Sequence, residues 1–487
     1  MRPKAYIPGA SDLFHRGTLA LARAEQNGVR VDEEYLDLMM KETGNEIAKC
    51  RVALESDPVW KAWTKRYRQN ANINSTDQLG VVLFNDFKVP FTQLTATGKP
   101  QMDEGVLAKI DMPFTKEFLR MKKFSKVKST YLSNLRRETY NGFFHPNFNL
   151  HLTQSYRSSS GSDRESESES KDFNFQNIPV RNPETGPLVR RCFIPRYPTW
   201  HLVEIDFSGI EVRVSACYNN DPTLIHYIKN SSADMHGDTA RELFFLTPDQ
   251  IKGMKKTCRD WSKNRFVFPQ FYGSVWFQCA PHLWEAVVGV NPEVPGTGIK
   301  LVDHLRKKGV KELGPCSPDD KNPARGTFAR VVKDVEDAFW QKRFPVYTAW
   351  KKRWHRQYQE NGYFDLFTGF RCTGAYRRNQ VINYPVQGSA FHCLLWSLIE
   401  LNDLLVRNRM KAKIVGQIHD SIVLDCPPSE LQTVLTVAHE IMTVRLPETW
   451  KWINVPLETE SEVAPAGRNW AEKRQWVENG GVWALKR

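Results

Sequence analysis

The chain has 487 residues, 41% of them apolar, and its 68 basic against 55 acidic residues leave a formal charge of +13. That length suffices for several subdomains around more than one core. No uninterrupted apolar run is long enough to cross a bilayer, and Met1-Arg2-Pro3-Lys4 lacks the apolar core of a signal peptide. The nine cysteines are scattered without a C-x-x-C pair, so they indicate neither a zinc site nor a disulfide framework and read as reduced cytosolic thiols. The basic surplus points to a polyanionic partner because it is clustered. Lys122, Lys123, Lys126, Lys128, Arg136 and Arg137 crowd one segment, and Lys351, Lys352, Arg353 and Arg356 another.

Taken in chain order, residues 16–140 read as mainly helical. Leu19–Val29 and Tyr35–Ile47 carry apolar residues at helical spacing, with a break at Asn27-Gly28, and Ser75-Thr76-Asp77-Gln78 sets a capping hydroxyl before an apolar run. Ser158–Ser170 is Ser- and Glu-rich, cannot bury a core, and reads as a mobile loop. Residues 200–207 read as a strand ending at Asp206, followed by a helix with Ile210, Val214 and Cys217 on one face. Residues 280–328 hold clusters of Pro and Gly. Phe339–Tyr363 reads as a Trp- and Arg-rich helix, and Pro385–Arg407 as a helix turning Phe391, Leu394, Leu395, Leu398 and Leu405 to a core. Lys413–Val415 and Ile422–Asp425 form a predicted hairpin with His419-Asp420 near its turn.

Three short segments carry chemistry. The first is Asp206-Phe207-Ser208-Gly209-Ile210-Glu211-Val212-Arg213. The second is Arg259-x-x-x-Lys263, followed by Phe271-Tyr272-Gly273. The third is Gln417-Ile418-His419-Asp420-Ser421. Two carboxylates on separate strand ends can hold a pair of Mg²⁺ ions, which prefer hard oxygen ligands. Two cations one helical turn apart share a face and can hold a triphosphate. In this order the segments resemble the A, B and C motifs of family A DNA polymerases, the bacterial DNA polymerase I class. Flanking matches are Glu25–Asp32 (E-x-N-G-V-x-V-D), Lys126–Tyr131 (K-x-x-S-T-Y), Thr153-x-x-x-Arg157, Phe175–Pro179 and Gly467–Trp470. The resemblance covers about residues 16–470, interrupted by the acidic loop and by residues 280–328.

The resemblance implies an α+β right-hand fold with helical thumb, antiparallel-sheet palm and helical fingers. The expected division is 1–150 for the N-terminal segment and thumb, 151–235 for the first part of the palm, 236–365 for the fingers and 366–487 for the rest of the palm and the tail. A basic thumb would grip duplex phosphates regardless of sequence. The implied cofactor is two Mg²⁺ ions, on Asp206, Asp420 and the main-chain carbonyl of Phe207. Arg259 is implied at the γ-phosphate, Lys263 at the α-phosphate and leaving group, and His236 at the β-phosphate. Glu211 fills the space of a ribose 2′-hydroxyl and hydrogen-bonds Tyr272. Phe268 packs on the incoming sugar. Arg157, Gln176, Asn177, Asn383, Gln387 and His419 line the primer–template terminus.

The resulting expectation is a template-directed DNA polymerase from a virus or mobile element, acting on primer–template DNA and dNTPs in the cytoplasm, the host's if viral, without a membrane. The thumb match starts almost at Met1, so no 3′–5′ exonuclease domain is expected in the chain; a separate exonuclease or replisome protein is compatible with that. One departure is Ser421, where most relatives have Glu and phage-type single-subunit RNA polymerases often have Ser. Such an RNA polymerase, or a non-catalytic DNA-binding scaffold, is the competing reading. Asp425 has no clear route to the metals. A second departure is spacing. Tyr272 lies one residue further from Lys263 than in most relatives, which on an ideal helix turns it by ~100°. With Pro269 between them, a π-type bulge is expected to restore the face.

Overall fold

In the computed structural model, which describes residues 8–90, 102–161, 172–179, 185–320 and 322–486, the chain opens with helix α1 (Pro8–Asn27). Gly28 stops it. Its φ is +64°, and a Cβ there would lie 2.8 Å from the His145 ring, so only glycine makes this turn. Val29 belongs to the strand that follows, β1 (Val29–Val31), and not to the helix. Helix α2 (Glu33–Ser56) is longer than its apolar spacing suggested because it is well started: Asp32 accepts from the Tyr35 amide at 3.0 Å, and Glu33 and Glu34 sit at the positive end of the helix dipole. Ser75 caps the next helix as expected, accepting from the Gln78 amide at 3.2 Å. Helix α3 (Pro113–Lys126) packs with α2 around Cys50, Leu54, Trp63, Phe114 and Phe118, a core separate from the main one. Lys126, the last residue of α3, is exposed, whereas Arg136 further on is committed to Asp37 and Glu33.

Most of the acidic stretch 158–170 lies outside the described residues; at its start Ser159-Ser160 pairs with Phe148-Asn149. Strand β2 (His201–Phe207) runs one residue past Asp206 and leads through Gly209 into helix α4 (Ile210–Asn219). Helices α5 (Met235–Phe244) and α6 (Trp276–Val290) follow. The segment after α6 is folded onto them. Phe328 stacks on Phe244 at 6.1 Å and meets Trp284 at 5.3 Å, while His304 bonds the Phe245 carbonyl at 3.1 Å. Phe339–Tyr363 is not one helix. It breaks at Phe344, and α7 runs from Pro345 to Asn361, with Lys352, Arg353 and Arg356 outward. Lys351 turns inward over the Trp340 ring, and burial pushes its amine down to about 7.

Helix α8 starts at Arg378, earlier than expected, and runs through Pro385 to Arg407. Pro385 has no N–H for the Val381 carbonyl, a loss that normally breaks a helix. Here the Trp354 indole of α7 supplies the missing donor, at 3.1 Å from that carbonyl. The helix is long and apolar enough to cross a membrane, but most of it is buried in the protein interior. A Cβ on its Gly388 would meet the Ser155 carbonyl at 2.3 Å, so Gly388→Ala is expected to cost about 1–3 kcal/mol or more of stability, read by denaturant unfolding. An unchanged unfolding midpoint would contradict that close approach.

The main sheet has six antiparallel strands. Besides β2 these are β3 (Lys413–Ile418), β4 (Ser421–Cys426), β5 (Thr459–Val463), β6 (Arg474–Asn479) and β7 (Val482–Leu485), in the order β3-β4-β2-β5-β6-β7. Strands β3 and β4 exceed their predicted lengths. Every residue of β4 is buried, so the alternation that marks a half-exposed strand is absent. Asp425 lies at the far end of β4 from the hairpin turn, where its carboxylate accepts from the Arg196 amide at 2.9 Å.

Candidate active site

Asp206 is the next-to-last residue of β2, and its cross-strand neighbours are Ser421 on β4 and Glu460 on β5. Pairing of Ile418 with Ser421 leaves His419 and Asp420 as a two-residue turn. His419 has φ +51°, a left-handed conformation where such turns favour glycine; a non-glycine residue there costs roughly 1–2 kcal/mol. The turn is held from beneath. The Gln417 amide donates to the His419 carbonyl at 2.7 Å, and its oxygen accepts from Gln176 at 2.6 Å and from the Ser158 hydroxyl at 2.7 Å. The Phe207 amide donates to the Asp420 carbonyl at 3.1 Å. These contacts bring the two aspartates together from separate strands.

Burial pushes the carboxyls of both Asp206 and Asp420 above the usual range, and the charge of Asp420 adds to the effect on Asp206. Asp206 Oδ1 is buried and has no hydrogen-bond partner. A pair of half-buried, mutually repelling hard-oxygen donors, with one buried oxygen unpartnered, fits a divalent cation such as Mg²⁺.

The aspartates form one wall of a cleft of about 880 Å³. The segment from Lys255 to Tyr272 also lines it, through Arg259, Lys263, Phe268, Phe271 and Tyr272. Along this segment the Arg259 amide bonds the Met254 carbonyl at 3.3 Å and the Phe268 amide bonds the Lys263 carbonyl, both five residues back. The second of these wide turns absorbs the additional residue immediately before Pro269. Regular pairing then resumes, with the Tyr272 amide on the Phe268 carbonyl at 3.1 Å. The expected distortion is therefore present, and Lys263, Phe268 and Tyr272 all line the cleft.

Beside them Arg259 donates to Asp234 at 2.7 Å. His236 stands edge-on to Phe268, 5.6 Å between centroids, and Lys263 Nζ lies 5.4 Å from the same ring. Burial, with the charges of Arg259 and Lys263, holds His236 down to about 4, so it is neutral near pH 7, and its buried Nδ1 has no partner. Cations and unpartnered polar nitrogen thus share the cleft with the carboxylate pair, as an anionic group bridging the two would need.

Glu211, in the first turn of α4, joins three regions. It accepts from the Tyr272 hydroxyl and, at 3.2 Å, from Arg157. Asn383 donates to the Tyr272 carbonyl at 3.0 Å, and Asn383, Gln387 and His419 also line the cleft. Arg213 staples the turn after β2 to the segment leading into β5, donating to the Ser208 and Pro456 carbonyls at 2.9 and 2.6 Å.

Two expected DNA-binding residues are placed elsewhere. Gln176 is buried under the Asp420 turn, spent on Gln417 and on the Ser158 hydroxyl, 2.8 Å away. Asn177 is exposed but outside the cleft wall. Ser421 donates to Glu204 at 3.1 Å. Glu204 was missed as a site residue, although strand alternation puts it on the face of Asp206. Glu460 on β5 and Glu458 just before it also line the cleft, and no motif marks that strand.

Comparison with known proteins places this geometry. Residues 39–285 and 334–472 match DNA polymerase family A, so the unmatched interval is 286–333 and not 280–328. Among curated relatives, DNA polymerase I of Pseudomonas aeruginosa is 26% identical over 468 residues, 93% of this chain and 43% of that protein. The thermostable DNA polymerase I of Thermus aquaticus is 26% identical over 470 residues, 93% of this chain and 47% of that protein. The chain thus spans under half the length of these relatives. Among solved structures, the POL domain of Pol1 from M. smegmatis, in complex with DNA primer-template and dNTP, superposes with a TM-score of 0.71 at 22% identity, covering 94% of this chain and 70% of that one, which shows a common fold. With most of its length matched and the three motif segments gathered at one cleft, the chain belongs to DNA polymerase family A.

Proposed function

We propose that this chain is a template-directed DNA polymerase that extends a primer 3′ end with dNTPs. The observation that carries the reading is the Glu211–Tyr272 hydrogen bond set beside the Asp206–Asp420 pair in one cleft. We assign residues 1–150 to the N-terminal segment and thumb, 151–235 and 366–487 to the palm, and 236–365 to the fingers. Asp206 and Asp420, with the Phe207 carbonyl, would hold two Mg²⁺ ions. When bound, these ions supply activation of the primer hydroxyl and charge stabilisation at the reacting phosphate.

The remaining work falls to side chains. Arg259 exchanges Asp234 for the γ-phosphate. Neutral His236 donates to the β-phosphate. Lys263 holds the α-phosphate region and delivers a proton to the leaving pyrophosphate. Glu211, closed by Tyr272, leaves no room for a 2′-hydroxyl. Arg157, Asn383, Gln387 and His419 are suited to test the geometry of the terminal base pair through minor-groove acceptors that recur in every pair.

Ser421 is the one feature that favours RNA synthesis, and a scaffold without catalysis is the third reading. Primer extension with dNTPs or rNTPs, with and without Mg²⁺, separates the three. Mg²⁺-dependent dNTP incorporation is expected; rNTP preference or no incorporation by folded, DNA-bound protein would reject the proposal. We also propose that these 487 residues carry no 3′–5′ exonuclease: mismatched primers incubated without dNTPs are expected to keep their length. Shortening that disappears when this chain is mutated would overturn that part alone.

Phe268 gives a finer expectation. A tyrosine in its place brings a hydroxyl that can stand in for a missing sugar 3′-hydroxyl. One hydrogen bond of about 1–1.5 kcal/mol is worth about tenfold, so Phe268→Tyr is expected to raise dideoxynucleotide use over dNTP use by roughly that factor. An unchanged ratio in a competition assay would remove Phe268 from the sugar.

A further inference from the structure

One carboxylate near the motif C turn has no role in the proposal above. Glu204 precedes Asp206 by two residues and faces the same side of the sheet. Its side chain is only 11% exposed. Oε2 accepts from the Trp470 indole at 3.0 Å and from the Lys473 ammonium, and Arg190 stands 3.9 Å away. Those contacts anchor the C-terminal segment, and they need only one oxygen. Oε1 turns the other way, onto the hydroxyl of Ser421 at 3.1 Å, a hydroxyl that also reaches the Ile418 carbonyl at 3.0 Å. Ser421 directly follows Asp420 and is the cross-strand neighbour of Asp206, so this hydrogen bond ends between the two aspartates. The negative charge of Glu204 is felt by both of them. Among the described residues no third acid joins the aspartates as a direct metal ligand, which sets Glu204 one step back from the cation.

We infer that Glu204 is the third carboxylate of the catalytic centre, a positioning residue that acts through Ser421 by fixing the Asp420 turn and strengthening the pull of the aspartate pair on divalent cations. It thereby does from β2 what a carboxylate at position 421 itself would do from β4. Lys473, Trp470 and Arg190 gather at its other oxygen, so the carboxylate is partnered in this buried place.

The inference rests on the polymerase reading, and the test separates their failures. The full chain bound to primer–template is titrated with Mn²⁺, and free ion is read by electron paramagnetic resonance. Glu204→Gln keeps the size of the side chain and removes its charge; Ser421→Ala removes only the link and covers the case in which the first variant does not fold. Each is expected to weaken Mn²⁺ binding by roughly tenfold, the usual effect of losing an outer partner of a metal ligand. Trp470→Phe removes the indole donor to the other oxygen and keeps both the carboxylate and its Lys473 partner, so it should not weaken Mn²⁺ binding. Wild-type affinity in both Glu204→Gln and Ser421→Ala would overturn the inference, as would a loss in Trp470→Phe equal to that in Glu204→Gln. A wild-type chain that binds Mn²⁺ but never extends primers would instead count against the polymerase reading.

Discussion

Asp206→Ala and Asp420→Ala are each expected to lower nucleotide incorporation by at least ~10³-fold, since stabilisation of the developing charge by a held metal is worth several kcal/mol. Affinity for primer–template should change little in the same proteins. Phosphate binding depends on cations spread over the surface, and neither variant removes one. Both aspartates are half-buried, repel each other, and leave Asp206 Oδ1 without a partner, so losing either one should relieve the folded protein. In metal-free buffer the sign is definite: an acid whose folded pKa lies above its unfolded value makes stability fall as pH rises through that window. Wild-type thermal midpoints should therefore drop between about pH 4 and 9, and Asp206→Asn should flatten the drop. Mg²⁺-dependent extension near the wild-type rate by either alanine variant would reject the assignment.

Glu211→Ala should raise ribonucleotide incorporation relative to dNTPs by about 10–100-fold, the range expected when a steric contact of 1–3 kcal/mol is removed. It should also slow dNTP use, because Tyr272 and Arg157 lose a shared acceptor. Competition between labelled rNTP and dNTP on one primer measures both effects. An unchanged ratio would show that Glu211 is not the gate, and the RNA polymerase reading would gain from it.

What could be read in the sequence was what is local. Asp206 and Asp420 end apolar runs, Arg259 and Lys263 share a helical turn, and the distance from Lys263 to Tyr272 demanded a distortion that Pro269 makes cheap. What could not be read depends on partners far along the chain. Gln176 looked free for DNA, but it is spent on Gln417, 241 residues away. Helix α8 begins before Pro385 because Trp354 repairs the missing hydrogen bond. Ser421 read as a lost carboxylate, while its partner Glu204 is 217 residues away on the next strand. The strands β6 and β7 carry no motif and are held by tail contacts such as the Trp483 amide on Gln432, 2.8 Å away.

The interval 286–333, unmatched by the family, has a bearing on how this part of the protein comes apart. Phe328 is stacked on Phe244 and packed against Trp284, and Leu301, Leu305 and Val310 are buried in the same core as the helices on either side. An appendage would melt by itself ahead of the rest. A segment that shares its neighbours' core cannot, because peeling it away strips the apolar faces of α5 and α6 as well. Hydrogen exchange at amides of residues 301–307 should then be governed by the same opening that frees those of α5. Deleting the interval would not trim the protein; it would take away the apolar cover of α5 and α6.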